Sequence, residues 1–270
     1  MSVSQQQKIA PAPLVGRHTE GQVGTLTLDN PARCNALSRE LTEGLLAALD
    51  TFRAQGVRAV VLRAAPGAKV WSAGHDIREL PRGHEDPLSY RDPLERVLRA
   101  VRTYPGAVIA MVQGAVWGGA FDLVLSCDMI IADESSSFAI TPANLSLPYN
   151  TTGLLHFLHR VPVNLIKEMF FSAQPLAADA AARWGIINRL VPAAEIEAET
   201  FALAELIASK APLAIAVVKE QLRVLTDDQP VPAQVFERIQ DMRRQVFESA
   251  DYEEGITAFL EKRKPVFRGV

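Results

Sequence analysis

Three apolar runs separated by amphipathic segments do most to limit what this chain can become: "VRAVVLRAA" (57–65), "AVIAMVQG" (107–114) and "MIIAD" (129–133). None alternates with polar residues, so each suits a strand covered on both faces rather than one facing water. Between them lie "DPLERVLRAVRTYP" (92–105), a helix stopped by Pro105, and "WGGAFDLVLSCD" (117–128), a second helix. Parallel strands linked through helices cross over right-handed, which predicts βαβ units and a largely parallel sheet.

The flanking segments extend this pattern. "GQVGTLTLDN" (21–30) alternates and then turns, so Val23–Leu28 is a predicted strand. In "SRELTEGLLAALDTFRAQG" (38–56), Ser38 is a candidate N-cap and Leu41, Leu45, Leu46 and Leu49 recur at helical spacing; Gly56 ends the helix. "PGAKVWSAGHDIREL" (66–80) reads as a glycine-containing loop running into a short helix. From about Gly153 the pattern becomes mostly helical, with one short strand in "AADAAARWGIINRLV" (177–191), and ends in "YEEGITAFLEKRKP" (252–265). The expected organisation is an α/β core over 13–200 and a helical region over 201–270.

Composition removes several classes of function. A net charge of −3 gives no reason to expect nucleic acid or an acidic membrane surface as partner. No apolar run reaches membrane-spanning length, and the first dozen residues read as a frayed leader rather than a signal peptide. Cys34 and Cys127 sit in no metal or redox spacing, which suits two packed thiols in a cytoplasmic protein. There is no GxSxG elbow, phosphate-binding GxxxxGK[ST] loop or HExxH motif. His156 and His159 lie at helical spacing without nearby Cys or carboxylate partners in sequence, so they read as solvated or capping residues and no metal site is expected.

Two glycine segments carry more. In "SAGHD" (72–76), Gly74 allows a close backbone turn that frees the N–H of His75 to face a cavity. In "GAVWGGAFDL" (114–123), Gly118 and Gly119 open a helix whose first-turn amides lack intrahelical acceptors. The pair of glycines permits either close helix–strand packing or a backbone oxyanion hole.

These two segments, about forty residues apart, resemble the crotonase (enoyl-CoA hydratase/isomerase) superfamily, and the resemblance runs from about Gly21 to the C-terminus. It implies an α/β fold with a ββα spiral core and a helical C-terminal trimerisation region, assembled as a homotrimer or homohexamer. Ile215, Val218, Leu222, Phe236 and Ile239 are then expected to be covered partly by neighbouring subunits. It implies an acyl-CoA thioester substrate, with the amides of His75 and Gly119 as oxyanion donors. CoA would lie along Ala73, Gly74, His75, Asp76 and Ile77, and Lys262 in "FLEKRKP" would meet phosphate. As a plain helix end, the same basic cluster would be solvated.

The resemblance also exposes a gap. Hydratases of this superfamily use two glutamates; here Asp122 stands at the first position, one methylene shorter, and Ala143 at the second, directly after Pro142. Hydration would lack half its acid–base pair. "KVWSAGHDIRELP", "TPANLSLPYN" and "KAPLAIAVVKEQLRVL" are similar instead to the branch that decarboxylates methylmalonyl-CoA. That chemistry generates its own carbanion and needs no cofactor. The resemblance then implies that Tyr149 and Thr141 border the acyl pocket and orient the substrate carboxylate. Asp122 either protonates the enolate or is a residual pocket carboxylate. Asp76 reads as a brace for its loop. Ser146 stands where the branch has glycine, which bears on acyl selectivity. The alternatives are another crotonase reaction (hydration or thioester hydrolysis) and a catalytically silent CoA-binding scaffold.

Overall fold

The alternation of apolar runs and helices builds two sheets rather than one. A computed structural model describes residues 13–80, 89–227 and 232–269; the expected leader lies outside them. The larger sheet contains β1 (Val15–Glu20), β2 (Val23–Leu28), β3 (Ala59–Ala64), β5 (Ala107–Val112), β7 (Met129–Ala132) and β10 (Arg189–Leu190). Their order is β1-β2-β3-β5-β7-β10, with β1 antiparallel on the edge and the others parallel. The smaller sheet is β4 (Val70–Ser72), β6 (Ala115–Trp117), β8 (Ser137–Ala139) and β9 (Leu176–Ala177). Its strands are two or three residues long, too short to leave a periodic signal, and β4 lies inside the segment read as loop.

The helices are α1 (Arg39–Ala54), α2 (Pro93–Arg102), α3 (Gly119–Ser126), α4 (Thr151–Leu158), α5 (Val163–Ser172), α6 (Ala178–Arg183), α7 (Ile196–Ala208), α8 (Pro212–Asp227), α9 (Ala233–Phe247) and α10 (Ala250–Leu260). The chain therefore runs large-sheet strand, small-sheet strand, helix three times over: β3-β4-α2, β5-β6-α3 and β7-β8-α4. This is the expected ββα spiral.

Burial explains the continuous apolar runs. On one face of the large sheet, Leu28, Val60, Leu62 and Val108 pack with Leu41, Leu45 and Phe52 of α1 and Val97 of α2. On the other, Ala59, Val61, Ile109 and Ile131 meet Ile196, Ala204 and Ala208 of α7. The expected boundary at residue 200 thus falls inside a helix that completes the sheet's second cover. Each fully buried Val, Leu, Ile or Phe contributes about 1.5–3 kcal/mol. The sheets are also tied by polar bonds: the buried Trp71 Nε1–H donates to Met111 O at 2.8 Å. Ser38 caps α1 by accepting from Leu41 N at 3.3 Å, as its position in sequence predicts.

One cysteine differs from expectation. Cys127 is buried, and burial pushes its thiol up to about 12. Cys34 is exposed, because it occupies a left-handed turn position (φ +50°) where its backbone rather than its side chain is engaged. In the C-terminal region, Val218, Leu222 and Phe236 are 52%, 59% and 40% exposed, while Ile215 and Ile239 are half-buried. Among the described residues no single helix is long and apolar enough to cross a membrane.

Candidate active site

β4 and β6 are parallel neighbours in the small sheet, so the loop after one and the helix after the other emerge side by side. The first is Ala73–Asp76, the second the N-terminus of α3. Gly74 has φ +86°, and a Cβ there would lie 2.4 Å from Trp117 O and 3.1 Å from Gly119 N; only glycine allows this approach. The loop is held by Leu37 N–H donating to Gly74 O (2.7 Å) and Ala73 N–H to Cys34 O (2.9 Å). Asp76, almost fully buried, accepts from Arg78 N, Nε and Nη2, with Arg33 at 3.5 Å. It braces the loop and does not line the cleft.

The two candidate oxyanion donors are thereby brought together. A Cβ on Gly119 would stand 3.7 Å from His75 N. Gly119 is the first residue of α3, so its N–H has no intrahelical acceptor. Among the loop hydrogen bonds of the described residues, the amides of Ala73 and Gly74 are used and that of His75 is not. The His75 imidazole is turned to the protein, with Nδ1 3.3 Å from Asp76 O and Nε2 3.4 Å from Asp92 Oδ2. Burial pulls its pKa down, but the Asp92 hydrogen bond and charge and the Asp76 carbonyl outweigh this and raise it above the usual histidine value.

The other wall of the cleft is made of side chains. Asp122 on α3 is buried and accepts twice: from the Tyr149 hydroxyl at Oδ2 (2.9 Å) and from His156 Nδ1 at Oδ1 (2.7 Å). Arg102 Nη1 lies 2.8 Å from His156 Nε2 and can only donate, which leaves the ring hydrogen on Nδ1, aimed at Asp122. The Tyr149 ring is packed edge-on against Phe157 and Phe170, at 6.0 and 5.2 Å. Burial, then the Asp122 charge, hold its hydroxyl well above the usual tyrosine range. Gly153 leaves room for this cluster, since a Cβ there would lie 2.3 Å from Tyr149 Cε1 and 2.9 Å from Asp122 Oδ2.

A second carboxylate comes from an unexpected place. Glu95 on α2 lines the same cleft, 5% exposed, and accepts a short hydrogen bond from Asn150 Nδ2. Asn150 Oδ1 in turn accepts from Gly153 N at 2.7 Å, so the amide's orientation is fixed. Burial raises the Glu95 pKa and the Asp122 charge adds to it, against lowering by Asn150, His156 and Arg99.

The cleft gathers most of the sequence candidates. Ala73, His75, Ile77, Gly119, Asp122, Thr141 and Tyr149 all line it. Thr141 makes no capping bond, and its Oγ1 would be 3.9 Å from a Cβ on Gly118. Lys262 does not line the cleft; it is exposed just past α10 with φ +56°. Ala143 is also exposed and outside the lining, because the 3-10 turn Pro142–Leu145 directs Pro142 and Leu145 inward instead. Ser146 holds φ +51°, a conformation that favours glycine.

Sequence reasoning missed Glu95, Asn150 and His156. His156 is neither solvated nor without a carboxylate partner: it is buried against Asp122, thirty-four positions away in sequence. Signals for two of them existed. Glu95 is a charge beside the buried stripe Leu94, Leu98 and Val101, and His156 falls on the stripe with Gly153 and Phe157.

The whole arrangement places two neighbouring backbone amides, those of His75 and Gly119, beside a buried acid cluster. The family model described as enoyl-CoA hydratase/isomerase matches residues 18–270. This chain belongs to that family. It is 46% identical to the methylmalonyl-CoA decarboxylase of Escherichia coli (strain K12), over 93% of this chain and 96% of the relative. A solved methylmalonyl-CoA decarboxylase in complex with 2-nitronate-propionyl-CoA superposes with a TM-score of 0.94 at 45% identity, covering 95% of this chain and 99% of the other. The carnitinyl-CoA dehydratase of Salmonella typhi is 31% identical over 92% and 96% of the two chains.

Proposed function

We propose that this chain is a carboxy-lyase that converts methylmalonyl-CoA to propionyl-CoA and CO2. The observation that carries the reading is the 46% identity to a methylmalonyl-CoA decarboxylase across nearly the full length of both chains. The geometry supports the chemistry. The thioester oxygen accepts from the amides of His75 and Gly119, and the partial positive charge at the N-terminus of α3 adds to them. When the bond between C2 and the carboxylate breaks, its electron pair moves into the thioester and CO2 departs. The amides meet the charge that develops on oxygen, and each such donor is worth roughly 3–4 kcal/mol in a transition state.

Substrate orientation is assigned to Thr141 and Tyr149. Overlap with the carbonyl requires the breaking bond to stand perpendicular to the thioester plane. Thr141 offers a hydroxyl that caps nothing. The Tyr149 proton is engaged by Asp122, so Tyr149 acts as a rigid wall whose oxygen position is fixed by that bond. Tyr149→Phe should lower kcat about tenfold, one hydrogen bond's worth, with less change in KM. Full retention of kcat would leave Thr141 as the sole orienting residue.

A second reading, hydration of an enoyl-CoA, draws on Glu95 and Asp122 sharing the cleft. It is disfavoured because both Asp122 oxygens are already occupied by Tyr149 and His156. Incubation with malonyl-, methylmalonyl- and ethylmalonyl-CoA and with an enoyl-CoA, read by mass spectrometry and CO2 release, separates the two. Enoyl-CoA turnover without CO2 release from any malonyl-type thioester would overturn the decarboxylase reading.

The exposed Val218, Leu222 and Phe236 support assembly as a homotrimer or homohexamer. The free, exposed thiol of Cys34 suits a reducing, cytoplasmic setting. CoA phosphate contact by Lys262 belongs with this proposal, since the exposed Lys262 lies outside the cleft, where the long CoA arm of the substrate would run. Sedimentation at the 29.5 kDa monomer mass at micromolar protein would sink the assembly proposal.

A further inference from the structure

Decarboxylation leaves an enolate that must take up a proton at C2, and the cleft narrows the choice of donor. Asp122 is engaged at both oxygens, as acceptor for Tyr149 and for His156. The Tyr149 hydroxyl is committed to Asp122. Both His75 ring nitrogens face protein acceptors, Asp76 O and Asp92. Asp92 caps α2, accepting from Leu94 N at 2.8 Å. Among the described titratable residues lining the cleft, this leaves Glu95.

The position of Glu95 suits the task. Its neighbour Leu94 packs directly over Gly119, with Cδ2 2.6 Å from a Cβ position there, so this turn of α2 covers the oxyanion site. Asn150 fixes Oε1, while Oε2 stands 4.0 Å from Arg99 Nη1. We propose that Glu95 is the acid that returns the proton: its carboxyl O–H breaks and a C–H bond forms at C2 of the enolate. The Glu95 carboxylate left behind takes a proton from water, so each CO2 released consumes one proton from solvent. Burial and the Asp122 charge favour the protonated form before the step, and an arriving substrate carboxylate favours it further.

This proposal rests on the decarboxylase reading, and one experiment separates their failures. The enzyme is given methylmalonyl-CoA in 2H2O, at times short against exchange of the substrate C2–H. The configuration at the deuterium-bearing C2 of propionyl-CoA is then read by NMR as a chiral derivative. A positioned acid delivers deuterium to one face, so wild type should give one configuration in excess. Glu95→Gln keeps the shape and the Asn150 bond; it should abolish the excess and lower turnover about 10²-fold, the low end for a general acid. Glu95→Asp should restore part of both. CO2 release with racemic product from wild type, or an excess unchanged in Glu95→Gln, overturns the Glu95 assignment alone. No CO2 release from wild type overturns the decarboxylase reading and the assignment with it.

Discussion

The two walls of the cleft are built on different principles. One is backbone: the amides of His75 and Gly119, aimed by two short parallel strands and by glycines that admit close approach. The other is side chain: Glu95, Asp122, Tyr149, Asn150 and His156, drawn from α2, α3, α4 and the segment before α4. The backbone wall is fixed by the sheet and cannot titrate. The side-chain wall is held by hydrogen bonds among ionisable groups, so its state depends on protonation. On the proposed function, stabilising the enolate falls to the first wall, and handling the carboxylate and the proton falls to the second.

The most severe test of this division is Gly119→Pro. Proline at the first helical position is well tolerated, because the N–H it removes has no intrahelical partner. Its Cβ would crowd the end of the buried Leu94 side chain at 2.6 Å, which must shift, and lie in ordinary contact with His75 N at 3.7 Å. The substitution should delete one oxyanion donor at the cost of a local shift of Leu94, and turnover should fall about 10²- to 10³-fold. Circular dichroism alongside the assay checks the fold. Turnover within a few-fold of wild type would mean that the backbone wall does not carry the charge.

The walls also differ in how far they could be read in advance. The backbone wall lies in two contiguous segments, "SAGHD" and "GAVWGGAFDL", where glycines next to an apolar strand announce a tight turn. The side-chain wall has no local signature. Glu95 and Asn150 touch across fifty-five positions and Asp122 and His156 across thirty-four, contacts that exist only once the ββα turns stack. The same limit explains the small sheet, whose strands are too short to leave a pattern, while β2 was long enough to alternate and β3, β5 and β7 stood out as continuous apolar runs. Ala143, placed by resemblance at the second glutamate position, points outward beside a buried Pro142 because successive side chains of the 3-10 turn are rotated by about 120°.

Asp122→Asn probes how strongly the side-chain wall depends on one acceptor. The carboxylate takes hydrogen bonds from two donors, Tyr149 O–H and His156 Nδ1–H. An amide has one oxygen, so one donor must face an NH2 group. Leaving a buried donor unsatisfied costs about 1–3 kcal/mol, and thermal or denaturant unfolding should show a loss of that size. Turnover should fall less than in Gly119→Pro, since the oxyanion amides are untouched. A variant as stable as wild type would imply that the Tyr149–Asp122–His156 cluster contributes no net stability.

The smallest effect expected is a gain. A buried carboxylate whose pKa is raised on folding is ionised at a cost, and Glu95 is in this position through burial and the nearby Asp122 charge. The sign follows from linkage: the folded protein holds the Glu95 proton more tightly than the unfolded chain does. Stability from this group is therefore fully present below the unfolded pKa, about 4.3, and is lost as pH rises through the folded value. Glu95→Gln removes the ionisation but keeps the acceptor for Asn150. Above the folded pKa the variant should melt higher than wild type. Below about pH 4 the difference should vanish. Asp122, His156 and Arg99 face the same carboxyl, so the profile should be repeated in Asp122→Asn, where loss of the neighbouring charge shrinks the gain. A Glu95→Gln advantage independent of pH would mean that the substitution improves packing, and that the side-chain wall is not held under electrostatic load.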